Sequence, residues 1–407
     1  MERRVNEWVN EDYGELHGRC HDLTENTKSP WYQRYEQFFT EVLPSNATLN
    51  ALWKEHVASY QRQERDITFS IPHFDCHIQN AHSGYAATSV HGLHPGDIKV
   101  VAAMGDSLTA GNGILATNVV GDLLEYRGHS WSIGGDGELE EVLTFPNILK
   151  KFGGYLYGYS EGIAKRNLTG ANLNIANPGD VAANMPEQAH LLVARMRSSP
   201  NVRIADDWKV VTLFIGGNDL CDYCSNPAQY SPDNYVRHIR DALDILKANL
   251  PKTFVNLVSI FDIAPIASME KGFICTVVHA FVCECGADTS NGPMLRQVTH
   301  AYQKGLEDLI NSGRYDTNDD FTVVIQPFYK HTEPPKLDVN GKVDMSYFSP
   351  DCFHFNHKGH FASAISLWNN MLEAPAVKQE EWYLNQPFHC PTFQTYNPSG
   401  FFTTYNN

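Results

Sequence analysis

Five apolar runs of strand length set the limits on how this chain can fold. They are read at Ile98–Met104, Ala171–Ala176, Lys209–Ile215, Thr253–Ile260 and Phe321–Ile325. Runs that lack polar alternation fit strands buried on both faces. The stretches between them carry helical period. In the clearest one, Ser231 and Pro232 supply an N-cap and a first-turn proline. Tyr235, Val236, Ile239, Ala242, Leu243, Leu246 and Leu250 then fall on one stripe before Pro251. Met185–Arg197, Pro293–Ile310 and Lys358–Leu372 read the same way. Strands alternating with helices require a parallel sheet with crossover connections. The expected fold is therefore α/β: a three-layer α/β/α sandwich around a central five-stranded parallel sheet, occupying residues 96–375.

The flanks differ in texture. Residues 1–95 are polar with aromatic clusters such as Trp31-Tyr-Gln-Arg-Tyr-Glu-Gln-Phe-Phe39. They are expected to form short helices and loops packed on the outside of the main domain, tied down by Cys20 and Cys76. Residues 376–407, with Cys390-Pro and Asn397-Pro-Ser-Gly, read as an extended surface tail. Within the main domain, 114–170 is too long for a simple connection and rich in Gly and aromatics. Long loops beside a strand end are usually functional or disordered, and the aromatics favour a folded, substrate-facing insertion.

Charge and cysteine usage narrow the function classes. The formal net charge of −16 excludes nucleic acid as a partner, because phosphate binding needs clustered Lys and Arg. It also disfavours electrostatic docking on anionic membranes, though not contact with zwitterionic lipid. No apolar run approaches the length of a transmembrane segment. Met1-Glu-Arg-Arg and the residues after it lack the apolar core of a secretory signal. Against a cytosolic reading stand the acceptor patterns Asn46-Ala-Thr48 and Asn167-Leu-Thr169 and nine cysteines. The expectation is a secreted or lumenal protein whose signal is absent from this sequence.

Chemistry gathers at the strand ends. The first run breaks at Gly105 and delivers Ser107, within Gly105-Asp-Ser-Leu108, to the carboxyl end of a buried strand, where open α/β sheets bind ligands. The second is followed by Asn177-Pro-Gly-Asp180, which puts the Gly179 N–H in a turn; the third by Gly216-Gly-Asn-Asp219, which puts the Asn218 amide just past the strand. Late in the chain, Ser349-Pro-Asp-Cys-Phe-His354 sets Asp351 three residues before His354. These groups make a complete acyl-transfer set. A hydroxyl nucleophile needs an adjacent imidazole base, and the base needs an orienting carboxylate. The developing oxyanion needs preorganised donors, here the N–H groups of Ser107 and Gly179 and the Asn218 side chain.

In this order, the blocks holding Ser107, Gly179, Asn218 and His354 resemble those of the SGNH (GDSL-type) hydrolases. Tyr126-Arg-Gly-His-Ser-Trp-Ser-Ile-Gly-Gly-Asp136, Phe214-Ile-Gly-Gly-Asn-Asp-Leu-Cys-Asp222 and Asp351-Cys-Phe-His354 are similar to the phospholipase B/lysophospholipase branch. The resemblance implies a flavodoxin-like fold, no metal and no cofactor. It also implies a serine esterase that cleaves fatty-acyl esters of phospholipids and lysophospholipids, with transient contact at a membrane or micelle surface. Ser107, Asp351 and His354 would be catalytic, and Ser107, Gly179 and Asn218 would form the oxyanion hole. An acetyl or carbohydrate esterase is the enzymatic rival, and a catalytically silent lipid-binding protein the rival of another class.

Several neighbours read as structural. Asp106 and Asp219 are expected to fix their turns, and His357 and His360 to be helix-start residues rather than zinc ligands. Cys221 and Cys224 are expected to form a local disulfide, over a redox pair or half a zinc site with Cys283 and Cys285. Pairing of Cys352 would brace the acid–base turn, its partner being open.

Overall fold

Four of the five expected strands pair in one parallel sheet. In the computed structural model, which describes residues 29–66, 70–76, 87–268, 272–335, 343–382, 385–391 and 402–405, the strands are β1 (Ile98–Gly105), β2 (Trp208–Phe214), β3 (Thr253–Val258) and β4 (Phe321–Gln326). They lie in sequence order, with Val101 opposite Val210, Val210 opposite Phe254, and Phe254 opposite Thr322. Every residue of β2, β3 and β4 is buried, and side chains alternate between faces, so the sheet is covered on both sides.

The helices of interest, in chain order, are α1 (Pro30–Gln37), α2 (Ala47–Asp66), α3 (Ser107–Ala110), α4 (Phe145–Lys150), α5 (Met185–Ser198), α6 (Gly217–Asp222), α7 (Pro232–Asn249), α8 (Gly272–Val282), α9 (Gly292–Asn311) and α10 (His357–Leu372). α5, α7 and α9 pack side by side as one layer. α10 packs on α4, and its Met371 sulfur meets Asn256 of β3. On α7 the apolar stripe Tyr235, Ile239, Ala242, Leu243 and Leu246 is buried, as its spacing predicts.

The Ala171–Ala176 run does not form the fifth strand. Two separate segments share the free edge of β1 instead. Tyr157 exchanges backbone bonds with Lys99 and Val101, while Leu173, Ile175 and Asn177 bond Ala103 and Gly105. Asn172 sits at φ +47°, which turns the chain just before the pairing begins, and Asn174 donates its side chain to Thr109 O. The apolar pattern was that of a strand, but the pairing was divided between two segments that return to the same edge.

Arg127 ties this edge together. Its fully buried guanidinium donates to the carbonyls of Ala164, Asn174 and Ala176 and to the Glu125 carboxylate. Arg127→Ala strands Glu125 and these carbonyls in the interior, where an unpaired charge is costly. The expected loss is about 3–5 kcal/mol of unfolding free energy, checked by denaturant titration against wild type.

Both flanks depart from expectation. α1 is not an outer decoration: Trp31, Tyr35, Phe38 and Phe39 are buried in the main core. The C-terminal region is not a surface tail where it is described, since Phe402 is fully buried against Phe254 and Trp368. Cys76 pairs with Cys390; Cys20 and the Asn397-Pro-Ser-Gly stretch lie outside the described residues. The expected Cys221–Cys224 bridge does not form. Cys221, buried on α6, pairs with Cys283, and Cys224, exposed beyond its end, pairs with Cys285. Both therefore cross to one other segment, at positions two residues apart. A fourth bridge joins Cys275 of α8 to Cys352. Four disulfides place the chain in an oxidising compartment outside the cytosol. No helix among the described residues is long and apolar enough to cross a membrane.

Candidate active site

The site lies where β1 and β2 end. Gly105 closes β1 so near the end of β2 that a Cβ there would sit 2.4 Å from Phe214 O. The chain then enters α3 with Asp106 as N-cap, accepting from the Leu108 N–H at 3.0 Å. Ser107 is thereby presented at a helix N-terminus, whose dipole favours negative charge. β2 ends likewise in α6, which carries Asn218 in its first turn.

Asp351 and His354 come from one compact turn. Ser349 N donates to His354 O and Cys352 N to Ser349 O, while Asp351 Oδ1 accepts the N–H groups of Phe353 and His354, each at 2.9 Å. Cys352 adopts φ +61°, a conformation that L side chains seldom take. The Cys275 disulfide and a 2.7 Å hydrogen bond between His279 Nε2 and Cys352 O hold it there. His56 of α2 bonds Pro350 O from the other side, at 2.9 Å.

These elements bring the four sequence blocks together. His354 Nε2 lies 2.8 Å from Ser107 Oγ, and His354 Nδ1 lies 2.5 Å from Asp351 Oδ2. Because the carboxylate accepts at Nδ1, the proton is assigned to Nδ1 and the lone pair of Nε2 faces the serine. Asn218 donates one amide proton to Asp180 O at 2.8 Å, which fixes its side chain beside the Gly179 turn. Gly179 takes φ +83°, and a Cβ on it would lie 2.2 Å from Tyr32 Cβ. Among the described residues, neither the Ser107 nor the Gly179 N–H donates to a backbone carbonyl. Ser107 opens onto a cleft lined by Phe261, Ile263, Ile266, Phe348, Phe353 and Trp382.

The expected substrate-facing insertion does not line this cleft. Trp131, Phe145 and Phe152 of this segment are buried in the core instead, while Tyr155 is exposed. Trp131 packs edge-on to Phe214 and Phe328. Asp106 fixes its own turn through the Leu108 N–H, whereas Asp219 is structural in another way: it reaches the segment after Gly179, accepting the Ala182 N–H with both oxygens. His357 opens α10, and buried His360 accepts the Trp131 N–H at Nδ1. Burial pulls the His360 imidazole down to about 3, so it stays neutral.

Charge is unevenly distributed around the site. Asp351 is completely buried, yet its carboxyl lies below the ordinary range because His354 and four donors offset the cost of desolvation. Asp122, equally buried, is held well above the ordinary range by burial and by the Asp351 charge. Burial also pushes Asp106 and Asp219 up to about 7 and Asp180 to about 6. A carboxyl raised in the fold binds its proton more tightly than in the unfolded chain. Its stabilising contribution is therefore present at low pH and is lost as pH rises from about 4 toward 7. Asp219→Asn removes one such group. The variant is expected to melt higher than wild type at pH 8 and to show a smaller fall in melting temperature between pH 5 and 8, measured by calorimetry.

Sequence reading missed three residues that support the acid–base turn: Tyr35, His56 and His279. Tyr35 donates to Asp351 Oδ2 at 2.8 Å, and its ring stands edge-on to His354. The signal was present in the spacing of Trp31, Tyr35, Phe38 and Phe39, which puts four aromatics on one helical face. Nothing in the pattern named the surface that face would cover.

The sequence pattern of the family described as GDSL-like lipase/acylhydrolase matches residues 101–366. The chain is 43% identical over 329 residues to the membrane-associated phospholipase B1 of Mus musculus, covering 78% of this chain and 22% of that protein. It is 45% identical over 300 residues to the Homo sapiens protein of the same name, covering 72% and 20%. It thus spans only about a fifth of the length of these relatives. A solved structure described as a GDSL-like lipase from Parabacteroides merdae is 16% identical, with a TM-score of 0.38, over 66% of this chain and 93% of that one.

Proposed function

Because the chain belongs to the GDSL-like lipase/acylhydrolase family, we propose that it is a serine esterase that hydrolyses fatty-acyl ester bonds of glycerophospholipids and lysophospholipids. The observation that carries the reading is the unbroken hydrogen-bond line from Ser107 Oγ through His354 to Asp351. At the Ser107 end of that line Asn218 lines the same cleft and bonds Asp180 beside the Gly179 turn, which supports a reading with three N–H donors for the oxyanion.

In this mechanism Ser107 Oγ attacks the ester carbonyl carbon while its proton passes to His354 Nε2. The carbonyl oxygen becomes an oxyanion and is met by the N–H groups of Ser107 and Gly179 and the free amide proton of Asn218. Asp351 stabilises the imidazolium through Nδ1–H and stays ionised. The imidazolium then protonates the departing alcohol oxygen, the ester C–O bond breaks, and the acyl group stays on Ser107. Water attacks this acyl-enzyme and gives its proton to Nε2. The fatty acid leaves as the proton returns to Ser107.

The phospholipid assignment draws on similarity to phospholipase B1 and on the cleft. Six apolar or aromatic side chains beside Ser107 suit a long acyl chain better than a compact acetate. A secreted or lumenal site of action fits the disulfides and the exposed Asn46 and Asn167 acceptor positions. The test is to incubate the purified protein with diacylphosphatidylcholine, lysophosphatidylcholine and an acetylated sugar, and to identify the released acids by mass. Fatty acid from both lipids is expected. Acetate alone would replace the lipid reading with the carbohydrate-esterase one.

A further inference from the structure

The acid of the acyl-transfer site is satisfied by a group outside the family-matched region. Tyr35 lies on α1, ahead of matched residues 101–366. Its hydroxyl reaches Asp351 Oδ2 at 2.8 Å, and both residues are fully buried. The other three donors to this carboxylate are local: the N–H groups of Phe353 and His354 on Oδ1, and His354 Nδ1–H on Oδ2. A carboxylate offers about four acceptor sites, so Tyr35 fills the last of them. With no solvent access, nothing else can take its place.

α1 is fixed in a way that delivers this hydroxyl precisely where it is needed. Ser29 caps its first turn, accepting the Tyr32 N–H at 3.3 Å. Asp222, at the end of the helix that carries Asn218, accepts Trp31 N–H at 3.1 Å and the Arg34 guanidinium at 2.6 Å. Tyr32 lies against Gly179, where any side chain would collide with it. One short helix thus touches the segments that carry Gly179, Asn218 and Asp351–His354.

We propose that Tyr35 is a positioning residue of the acyl-transfer site, its hydroxyl orienting Asp351 and setting how strongly Asp351 holds the His354 imidazolium. This rests on the reading of Ser107, His354 and Asp351 as nucleophile, base and acid. The sign of the effect follows from charge. The phenol O–H draws negative charge on Oδ2 toward itself and away from the Nδ1–H bond. Without it, Asp351 pulls harder on the imidazolium, which then keeps its proton to higher pH. The base must be neutral to accept the Ser107 proton, so the acid limb of the pH–rate profile moves upward.

The other titratable groups around this line stay in place in Tyr35→Phe. Asp122 and Tyr32 face Tyr35, His56 faces Asp351, and Asp106 and His360 face His354. Asp122, whose carboxyl is held well above the ordinary range by burial and by the Asp351 charge, has its backbone oxygen 3.1 Å from the Tyr35 hydroxyl. Phenylalanine also keeps the ring that stands against Trp31, Phe39 and His354.

The experiment measures kcat and KM for p-nitrophenyl butyrate from pH 5 to 9 in wild type, Tyr35→Phe, Tyr35→Leu and Ser107→Ala. Tyr35→Phe is expected to lose about tenfold in kcat with KM little changed, consistent with one hydrogen bond to a charged group, and to shift its acid limb to higher pH. Site-specific 3-fluorotyrosine at position 35, a stronger donor of the same shape, should shift the limb to lower pH. It carries the test if the Phe variant does not fold. A purely structural tyrosine predicts the opposite pattern: Phe and fluorotyrosine profiles matching wild type, with only Leu impaired. That result, with Ser107→Ala inactive, overturns this inference alone. An active Ser107→Ala variant overturns the nucleophile reading and this inference with it.

Discussion

Ser107→Ala is expected to lower kcat toward soluble and lipid esters by about a million-fold while leaving the melting temperature near that of wild type. The size follows from the serine's role as the group that forms the covalent intermediate: losing a triad member costs about that much, because its partners have nothing left to act on. The fold should tolerate the change, since Ser107 Oγ bonds only the His354 imidazole among the described residues and alanine suits the first turn of α3. Residual catalysis of about 10³–10⁴ over water would remain from the oxyanion donors and from binding. Undiminished turnover of a p-nitrophenyl ester would refute the nucleophile assignment.

Asn218→Ala is expected to slow the chemical step by about 100- to 1,000-fold, about 2.7–4 kcal/mol of transition-state stabilisation. The amide is already held by its bond to Asp180 O, so it donates its second proton without reorganising as charge develops. That preorganisation is what makes such a donor effective. The loss should appear in kcat, because the bond strengthens as the carbonyl oxygen becomes an oxyanion. A change confined to KM would mean that Asn218 serves substrate and transition state alike. The released Asp180 carbonyl also loosens the Gly179 turn, so part of the effect is shared between the two donors.

The blocks holding Ser107 and Asn218 were legible because each follows a buried apolar run, and the end of a parallel strand is a place the fold defines. The Asp351–His354 turn showed itself by local spacing alone. What escaped depended on long-range packing. Ala171–Ala176 has the composition of a strand, yet it shares its edge of β1 with Tyr157, a division no local pattern records. Trp131, Phe145 and Phe152 signalled burial without saying against what, and they enter the core rather than line the cleft. Cys221 and Cys224 are close in sequence but pair with Cys283 and Cys285, so proximity suggested the wrong bridge. Tyr35 reaches Asp351 across 316 positions of chain, and its aromatic stripe marked a buried face without marking its partner.

The most direct test of the acyl-transfer site is covalent. Treated with a fluorophosphonate and digested, the protein should carry one phosphonyl group per chain, on the peptide holding Ser107, with activity falling in step with label. Complete labelling of Ser107 with hydrolysis intact, or loss of activity with the label on another residue, would contradict the account.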